Sequence, residues 1–253
     1  MSGLSRSSHA LVTGGGRGIG REIASSLVQA GATVTVLGRN RKALDDLVTA
    51  GVAHGLVIAD VADQAAMNAA IAEAAVRQPI DILVANAGAA ESAPFGKTDA
   101  AMFRRMLDVN FMGVVHAAQA VLRPMVQRRQ GRIIAIASTA GLKGYSYVSA
   151  YCAAKHAVVG LVRSLALEVA SSGVTVNAVC PGFTDTDLVA GSIDLIMSKT
   201  GRSRDEAIAE LAKHNPQGKL VTPAEVANAV VWLCSPGASS VTGQTIAVAG
   251  GEI

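Results

Sequence analysis

Cysteine and aromatic residues are scarce in this chain of 253 residues: it has three Cys, and Phe, Trp and Tyr together make up 3%. Cys152, Cys180 and Cys234 are an odd and widely spaced set with no metal-ligand pattern, so they read as reduced core residues of a cytoplasmic protein. Long apolar runs are missing as well. None reaches the roughly 18 residues of a membrane span, and Met1 to Ser8 lacks the apolar region of a signal peptide, so no membrane partner is expected. An excess of one charge is the next absence. Lys and Arg number 22 against 19 Asp and Glu, a net +3 with the basic residues dispersed, which gives no footprint for nucleic acid. His116, His156 and His214 have no partners at metal-ligand spacing, and His156 reads as structural.

What fills the chain instead is Ala, Val and Gly, half of all residues being hydrophobic, a composition suited to closely packed parallel strands and helices. Short apolar runs at 9–13, 32–37, 54–59, 81–85, 131–137, 174–179 and 244–248 read as strands. Longer helical patterns lie between them, notably 101–129 and 149–172. The alternation predicts an α/β fold, a doubly wound parallel sheet of about seven strands with helices on both faces and right-handed crossovers. No internal linker interrupts it, so residues 1–253 are expected to form a single domain. The rhythm breaks at 183–222, a polar stretch holding Gly191, Gly201 and a helix at 203–214. Loops of that length are usually functional, and this one reads as a lid over the substrate.

Three places carry chemistry. Thr13-Gly14-Gly15-Gly16-Arg17-Gly18-Ile19-Gly20 follows the apolar run His9-Ala10-Leu11-Val12 and opens an amphipathic segment ending at Gly31. Strand, glycine turn and helix in that order bring backbone N–H groups close to a pyrophosphate, so the segment predicts dinucleotide binding. Tyr151 and Lys155 stand four residues apart and share a helix face. An ammonium near a phenol favours the phenolate and lowers the tyrosine pKa towards the range useful for proton transfer, although an arbitrary Tyr-x-x-x-Lys is more often an aromatic at a core rim beside a solvated Lys. Ser138 lies thirteen residues before Tyr151, at the carboxyl end of the run 132–137. A hydroxyl there faces the crevice where α/β sheets bind ligands, though a lone Ser is also a good cap or turn former.

Taken together, Thr13-Gly14-x-x-x-Gly18-x-Gly20, Asn86-Ala87-Gly88, Asn110, Ser138, Tyr151, Lys155 and Pro181-Gly182 resemble the short-chain dehydrogenase/reductase family over essentially the whole chain. The resemblance implies a Rossmann-type domain with 9–90 mainly cofactor-binding, and an oxidoreductase that interconverts a ketone and a secondary alcohol. It makes Tyr151 the acid/base, Lys155 the group that lowers its pKa and holds the nicotinamide ribose, and Ser138 the donor that positions the carbonyl. In the family, an Asn at the position of Asn110 distorts its helix and anchors a water for proton relay to Lys; by itself, Asn110 is unfavourable within a helical pattern. Gly14, Arg17, Gly18, Ile19, Gly20, Asp60, Val61, Asn86, Ala87, Gly88, Pro181, Gly182, Thr184 and Thr186 are the further residues expected at the cofactor. Members of this type need no catalytic metal.

Cofactor choice follows from charge. Enzymes using NAD place an acid after the second strand, where it binds the ribose hydroxyls and would repel a 2′-phosphate. Here that stretch is Val36-Leu37-Gly38-Arg39-Asn40-Arg41. With Gly38 leaving space and Arg39 and Arg17 offering charge, NADP(H) is expected, against the plainer reading of solvated arginines on a basic edge. Residues 164–188 and Asn215-Pro216-Gln217-Gly218-Lys219 look most like β-ketoacyl thioester reductases and polyketide ketoreductases. The leading reading is therefore a 3-oxoacyl or 3-hydroxyacyl thioester oxidoreductase. An alcohol, polyol or cyclic-ketone dehydrogenase on the same scaffold is the alternative, and a catalytically silent dinucleotide-sensing or scaffold protein is the reading from another class. Arg128 and Arg129 suit a carrier-protein partner, but Leu167 and Ser172 stand where those reductases commonly carry Arg. The helices 101–129 and 149–172 have more apolar face than one sheet need bury, and family members pair them across two-fold axes, so the resemblance implies a homotetramer, with Val248 to Ile253 in a second interface.

Overall fold

The computed structural model describes residues 8–253, apart from the side chain of Leu188; the reading of Met1 to Ser8 as free of a targeting segment lies almost wholly outside them. Seven strands form one parallel sheet: β1 (His9–Thr13), β2 (Thr33–Gly38), β3 (Gly55–Ile58), β4 (Ile82–Ala85), β5 (Gly131–Ile136), β6 (Val174–Pro181) and β7 (Thr245–Val248). Their order across the sheet is β3-β2-β1-β4-β5-β6-β7, every neighbouring pair being parallel. The chain runs outward from β1 to β3 and then crosses back to β4. That reversal between β1 and β4 opens the crevice in which doubly wound sheets hold ligands.

Successive strand residues face opposite sides of the sheet, and each side has its own core. Leu11, Leu83, Ile133 and Val176 face α3 (Gln64–Ala75), α5 (Gly113–Arg128) and α6 (Ser149–Val169), meeting Met67, Val121 and Val162. Val12, Val34, Val84 and Ile134 face α1 (Gly18–Gln29), α2 (Arg41–Thr49) and α9 (Pro223–Cys234), meeting Ile23, Leu44 and Val230. All three cysteines are buried and free, as expected of core residues. Among the described residues, no helix is long and apolar enough to cross a membrane.

Two elements depart from the expected pattern. The helix read over 101–129 is α4 (Ala100–Leu107) and α5 joined by a π turn at Asp108–Met112, and Asn110 sits inside that turn. The 183–222 segment is less polar than its sequence suggests. It forms α7 (Asp187–Thr200) as well as α8 (Arg204–Ala212), and Ile193, Ala207 and Leu211 pack with Phe183, Ile196 and Met197 into a small core of their own. The apolar spacing of α7 was masked by the Gly, Ser and Asp residues interspersed along it.

Candidate active site

The site grows from the β1/β4 crevice. The Thr13 hydroxyl accepts the backbone N–H groups of Asn86 and Ala87, each at 3.0 Å. Asn86 Nδ2 donates in return to the carbonyls of Thr13 at 3.0 Å and Gly14 at 3.2 Å. The Asn86-Ala87-Gly88 turn is thus the lock that fixes the glycine turn after β1. Gly14 lies at φ 64°, and a Cβ there would sit 2.8 Å from the Ala87 Cα. The cradle is therefore bare backbone, with α1 starting at Gly18 behind it, which fits the pyrophosphate of a dinucleotide.

The catalytic candidates come from three other elements. Ser138 follows β5, and its Oγ accepts the Ala140 N–H at 3.1 Å, starting a short 3-10 turn; the same hydroxyl is near enough to Tyr151 to favour its ionised form. Ser138 is therefore a turn former, and it also lines the cavity. Tyr151 and Lys155 lie one turn apart at the start of α6, with Lys155 Nζ 5.7 Å from the Tyr151 ring centre. Lys155 is 4% exposed and donates to the Ile136 carbonyl at 2.8 Å. Asn110 is fully buried; its Nδ2 donates to the carbonyls of Ala89 at 2.8 Å and Met106 at 3.0 Å, while its Oδ1 accepts the Ala89 N–H at 3.2 Å. The Met106 bond stays within the helix beside the π turn, and the two Ala89 bonds tie that turn to the loop after β4. Gly88 stands between Asn110 and Lys155: a Cβ on it would lie 2.8 Å from Asn110 Oδ1 and 3.7 Å from Lys155 Nζ.

Electrostatics differ from the expectation for the tyrosine. Burial pushes the Tyr151 hydroxyl up to about 12, with the Ser138 hydrogen bond as the opposing influence. Burial also pulls the Lys155 ammonium down to about 8. In the protein alone, desolvation is the largest influence on both groups, and the lysine's hydrogen bond goes to the Ile136 carbonyl.

Ser138, Tyr151, Lys155, Asn110 and every residue expected at the cofactor line one cavity of about 1850 Å³, larger than a small-molecule pocket of roughly 300–1,000 Å³. Arg39 pairs with Asp60 at 3.3 Å across its mouth, so an acid does reach this corner, supplied by the loop after β3 and not by β2. Asp60 Oδ1 also accepts the Ala62 N–H at 3.0 Å. Arg17 is 3.8 Å from Asp187 at the start of α7. Thr184 donates its hydroxyl to the Gly182 carbonyl at 3.0 Å, and Thr186 donates to the Thr184 carbonyl at 3.2 Å.

Sequence reasoning missed Lys143, Tyr145 and Tyr147, which line the same cavity from the loop between β5 and α6, with Phe183 and His214 opposite. Their only signal was nearness to Tyr151 in the sequence, since a loop has no periodicity to read. His116 and His156 are structural, bonded to the carbonyls of Val61 and Cys152, each at 2.9 Å. Arg128 and Arg129 lie at the amino ends of the strands, away from the cavity of their own chain. Arg128 holds the Ile80 carbonyl at 2.8 Å and Asp81 at 3.3 Å, and Arg129 the Ser171 carbonyl at 3.0 Å.

Comparison with known proteins agrees with this geometry. The family described as short chain dehydrogenase matches residues 8–215. A galactitol 2-dehydrogenase (L-tagatose-forming) of Cereibacter sphaeroides is 39% identical over 248 residues, covering 96% of this chain and 93% of that protein. The 3-oxoacyl-acyl-carrier-protein reductase FabG of Vibrio harveyi is 38% identical over 246 residues, covering 96% of each. Among solved structures, an actinorhodin polyketide ketoreductase variant with NADPH superposes with a TM-score of 0.92 at 36% identity, covering 98% of each chain.

Proposed function

This chain belongs to the short-chain dehydrogenase family, and on that basis we propose that it is an NADP(H)-dependent oxidoreductase interconverting a ketone and a secondary alcohol, with a 3-oxoacyl thioester or related small ketone as substrate. The observation that carries the reading is the convergence of Ser138, Tyr151 and Lys155 at one end of a cavity whose other end is the bare glycine cradle. When bound, the reduced nicotinamide supplies a hydride. Ser138 donates a hydrogen bond to the substrate oxygen and stabilises its developing negative charge. Tyr151 gives that oxygen a proton. Its raised pKa keeps the phenol protonated at neutral pH, the form that reduction needs, and oxidation needs the reverse. Lys155, charged below about pH 8, steadies the phenolate left behind, and Asn110 fixes the wall next to it. Pro181, Gly182, Thr184 and Thr186 hold the nicotinamide end, and Asp60 and Val61 the adenine end.

Among the described residues, the two arginines that would suit a carrier protein are already engaged, which supports a substrate handled without one. Arg128 and Arg129 are committed to backbone carbonyls, and Leu167 stands 82% exposed where a basic residue would serve a carrier. A panel of NADPH-linked assays decides the matter. Acetoacetyl-coenzyme A or a simple 3-oxoester should be reduced about as well as the carrier-linked substrate; a large preference for the carrier-linked form, abolished by Arg129→Glu, would move the protein to a carrier-dependent role. Preference for polyols or cyclic ketones would favour the dehydrogenase alternative.

For the cofactor, Arg39→Asp is expected to weaken NADPH about tenfold or more while changing NADH little, because a phosphate partner is replaced by a repelling charge. Titration of cofactor fluorescence measures both constants. Equal losses would put Arg39 outside the 2′-phosphate site. The protein is further expected to be a cytoplasmic homotetramer, the exposed Leu167 of α6 and Val126 of α5 marking apolar faces suited to a second copy. A monodisperse monomer in sedimentation at micromolar concentration would contradict the assembly.

A further inference from the structure

The last residues of the chain turn back beneath the substrate end of the cleft. Gly250, at φ 62°, passes so near Asn215 that a Cβ on it would collide with Asn215 Oδ1. Asn215 is itself buried and closes the turn after α8, its Nδ2 donating to the Lys219 carbonyl at 2.8 Å and its Oδ1 accepting the Gln217 N–H at 2.8 Å. The next side chain but one, Glu252, is only 1% exposed. Its Oε1 accepts the Tyr145 hydroxyl at 2.5 Å and the Lys143 ammonium at 3.0 Å, and lies 3.9 Å from His214 Nδ1. Tyr145 also meets Thr139 Oγ1 at 2.6 Å. Its ring packs edge-on against Phe183 and His214, with ring centres 5.9 and 5.7 Å apart.

Lys143, Tyr145, Phe183 and His214 line the cavity, and Glu252 stands behind them. The Glu252 Oε2 atom is buried with no hydrogen-bond partner. A buried carboxylate oxygen left unmatched works against stability, so its retention asks for a functional reason. Burial and the adjacent carboxylate hold the Tyr145 hydroxyl protonated as a donor.

We propose that Glu252 is a positioning residue: from the penultimate position it fastens Lys143 and Tyr145 of the catalytic wall to His214 at the base of the 183–222 segment, and so sets the shape of the substrate end of the cleft. The inference rests on the reading that this end takes the ketone. It also narrows the substrate. With Thr139 and Glu252 occupying its hydroxyl, Tyr145 offers the cavity an aromatic ring, which with Phe183 makes a corner for a flat or apolar substituent beside the carbonyl and gives little to a polyol chain.

The test compares Glu252→Ala and Glu252→Gln with the parent protein. Amide hydrogen exchange of the cofactor-free protein should show residues 143–147 and 213–217 exchanging about tenfold faster in Glu252→Ala, with the sheet unchanged. With NADPH and ethyl benzoylacetate as the probe, KM should rise about tenfold while kcat changes by less than about threefold and NADPH affinity holds. Glu252→Gln keeps an acceptor for Tyr145 and should restore most of both. Unchanged exchange at the two segments, acceleration spread over the whole molecule, or a fall in kcat without a rise in KM would overturn the assignment. Exchange is read without substrate, so a parent protein that reduced no ketone would remove the proposed function while leaving the role of Glu252 decided by exchange.

Discussion

Tyr151→Phe is expected to lower kcat for ketone reduction by about 100- to 10,000-fold, the range that a positioned general acid contributes. The substitution deletes one oxygen and conserves the ring, which is partly buried against Met106, Ala150 and Ala154, so fold and NADPH affinity should stay near those of the parent. The hydroxyl it removes is the one that burial keeps protonated against the opposing influence of Ser138. In the parent, the raised tyrosine pKa gives the two directions opposite pH dependences: oxidation of the alcohol, which needs the phenolate, should climb with pH through the alkaline range, and reduction, which needs the phenol, should fall. Steady-state rates in both directions check this. Near-parental turnover in Tyr151→Phe would remove Tyr151 as proton donor.

Gly20→Ala is expected to weaken NADPH by about ten- to a hundredfold. Its methyl would press on the Gly14 carbonyl oxygen and on Asn86 Nδ2, the pair whose hydrogen bond closes the glycine turn. Relief requires the turn to open or α1 to shift, a strain of about 1–3 kcal/mol. Fluorescence titration reads the affinity, and circular dichroism confirms the fold. Parental affinity would show that the cradle tolerates a side chain and would weaken its assignment to the pyrophosphate.

Much of this architecture was legible because its signals are local. The strands at 9–13 and 131–137 are short apolar runs bounded by polar or glycine residues, and they occupy nearly those bounds in the sheet. The glycine turn was readable from its flanks, strand before and helix after. Asn110 was readable as an irregularity in a helical pattern, and the π turn is what that irregularity becomes once its side chain bonds the Ala89 backbone. What stayed hidden depends on distant pairing. Nothing near Glu252 in the sequence indicates that it reaches Lys143 and Tyr145, more than a hundred residues away. The Arg39–Asp60 pair was missed for the same reason, since the two residues belong to different strand ends and meet only in the register of β2 with β3. The tyrosine pKa was misjudged because helix spacing puts Lys155 on the right face without saying what its ammonium bonds.

Hydride transfer itself is the most direct test of the account. The protein would be incubated with NADPH deuterated at the transferred position of the nicotinamide and with a panel of 3-oxothioesters, 3-oxoesters and simple ketones, and the products read by mass spectrometry. The account predicts a secondary alcohol carrying one deuterium at the carbinol carbon for at least one 3-oxoacyl compound, and at least about 100-fold less of it when Tyr151→Phe replaces the parent over the same interval. Tight NADPH binding with no deuterated alcohol from any member of the panel would contradict it and leave a dinucleotide-binding protein without ketoreductase chemistry.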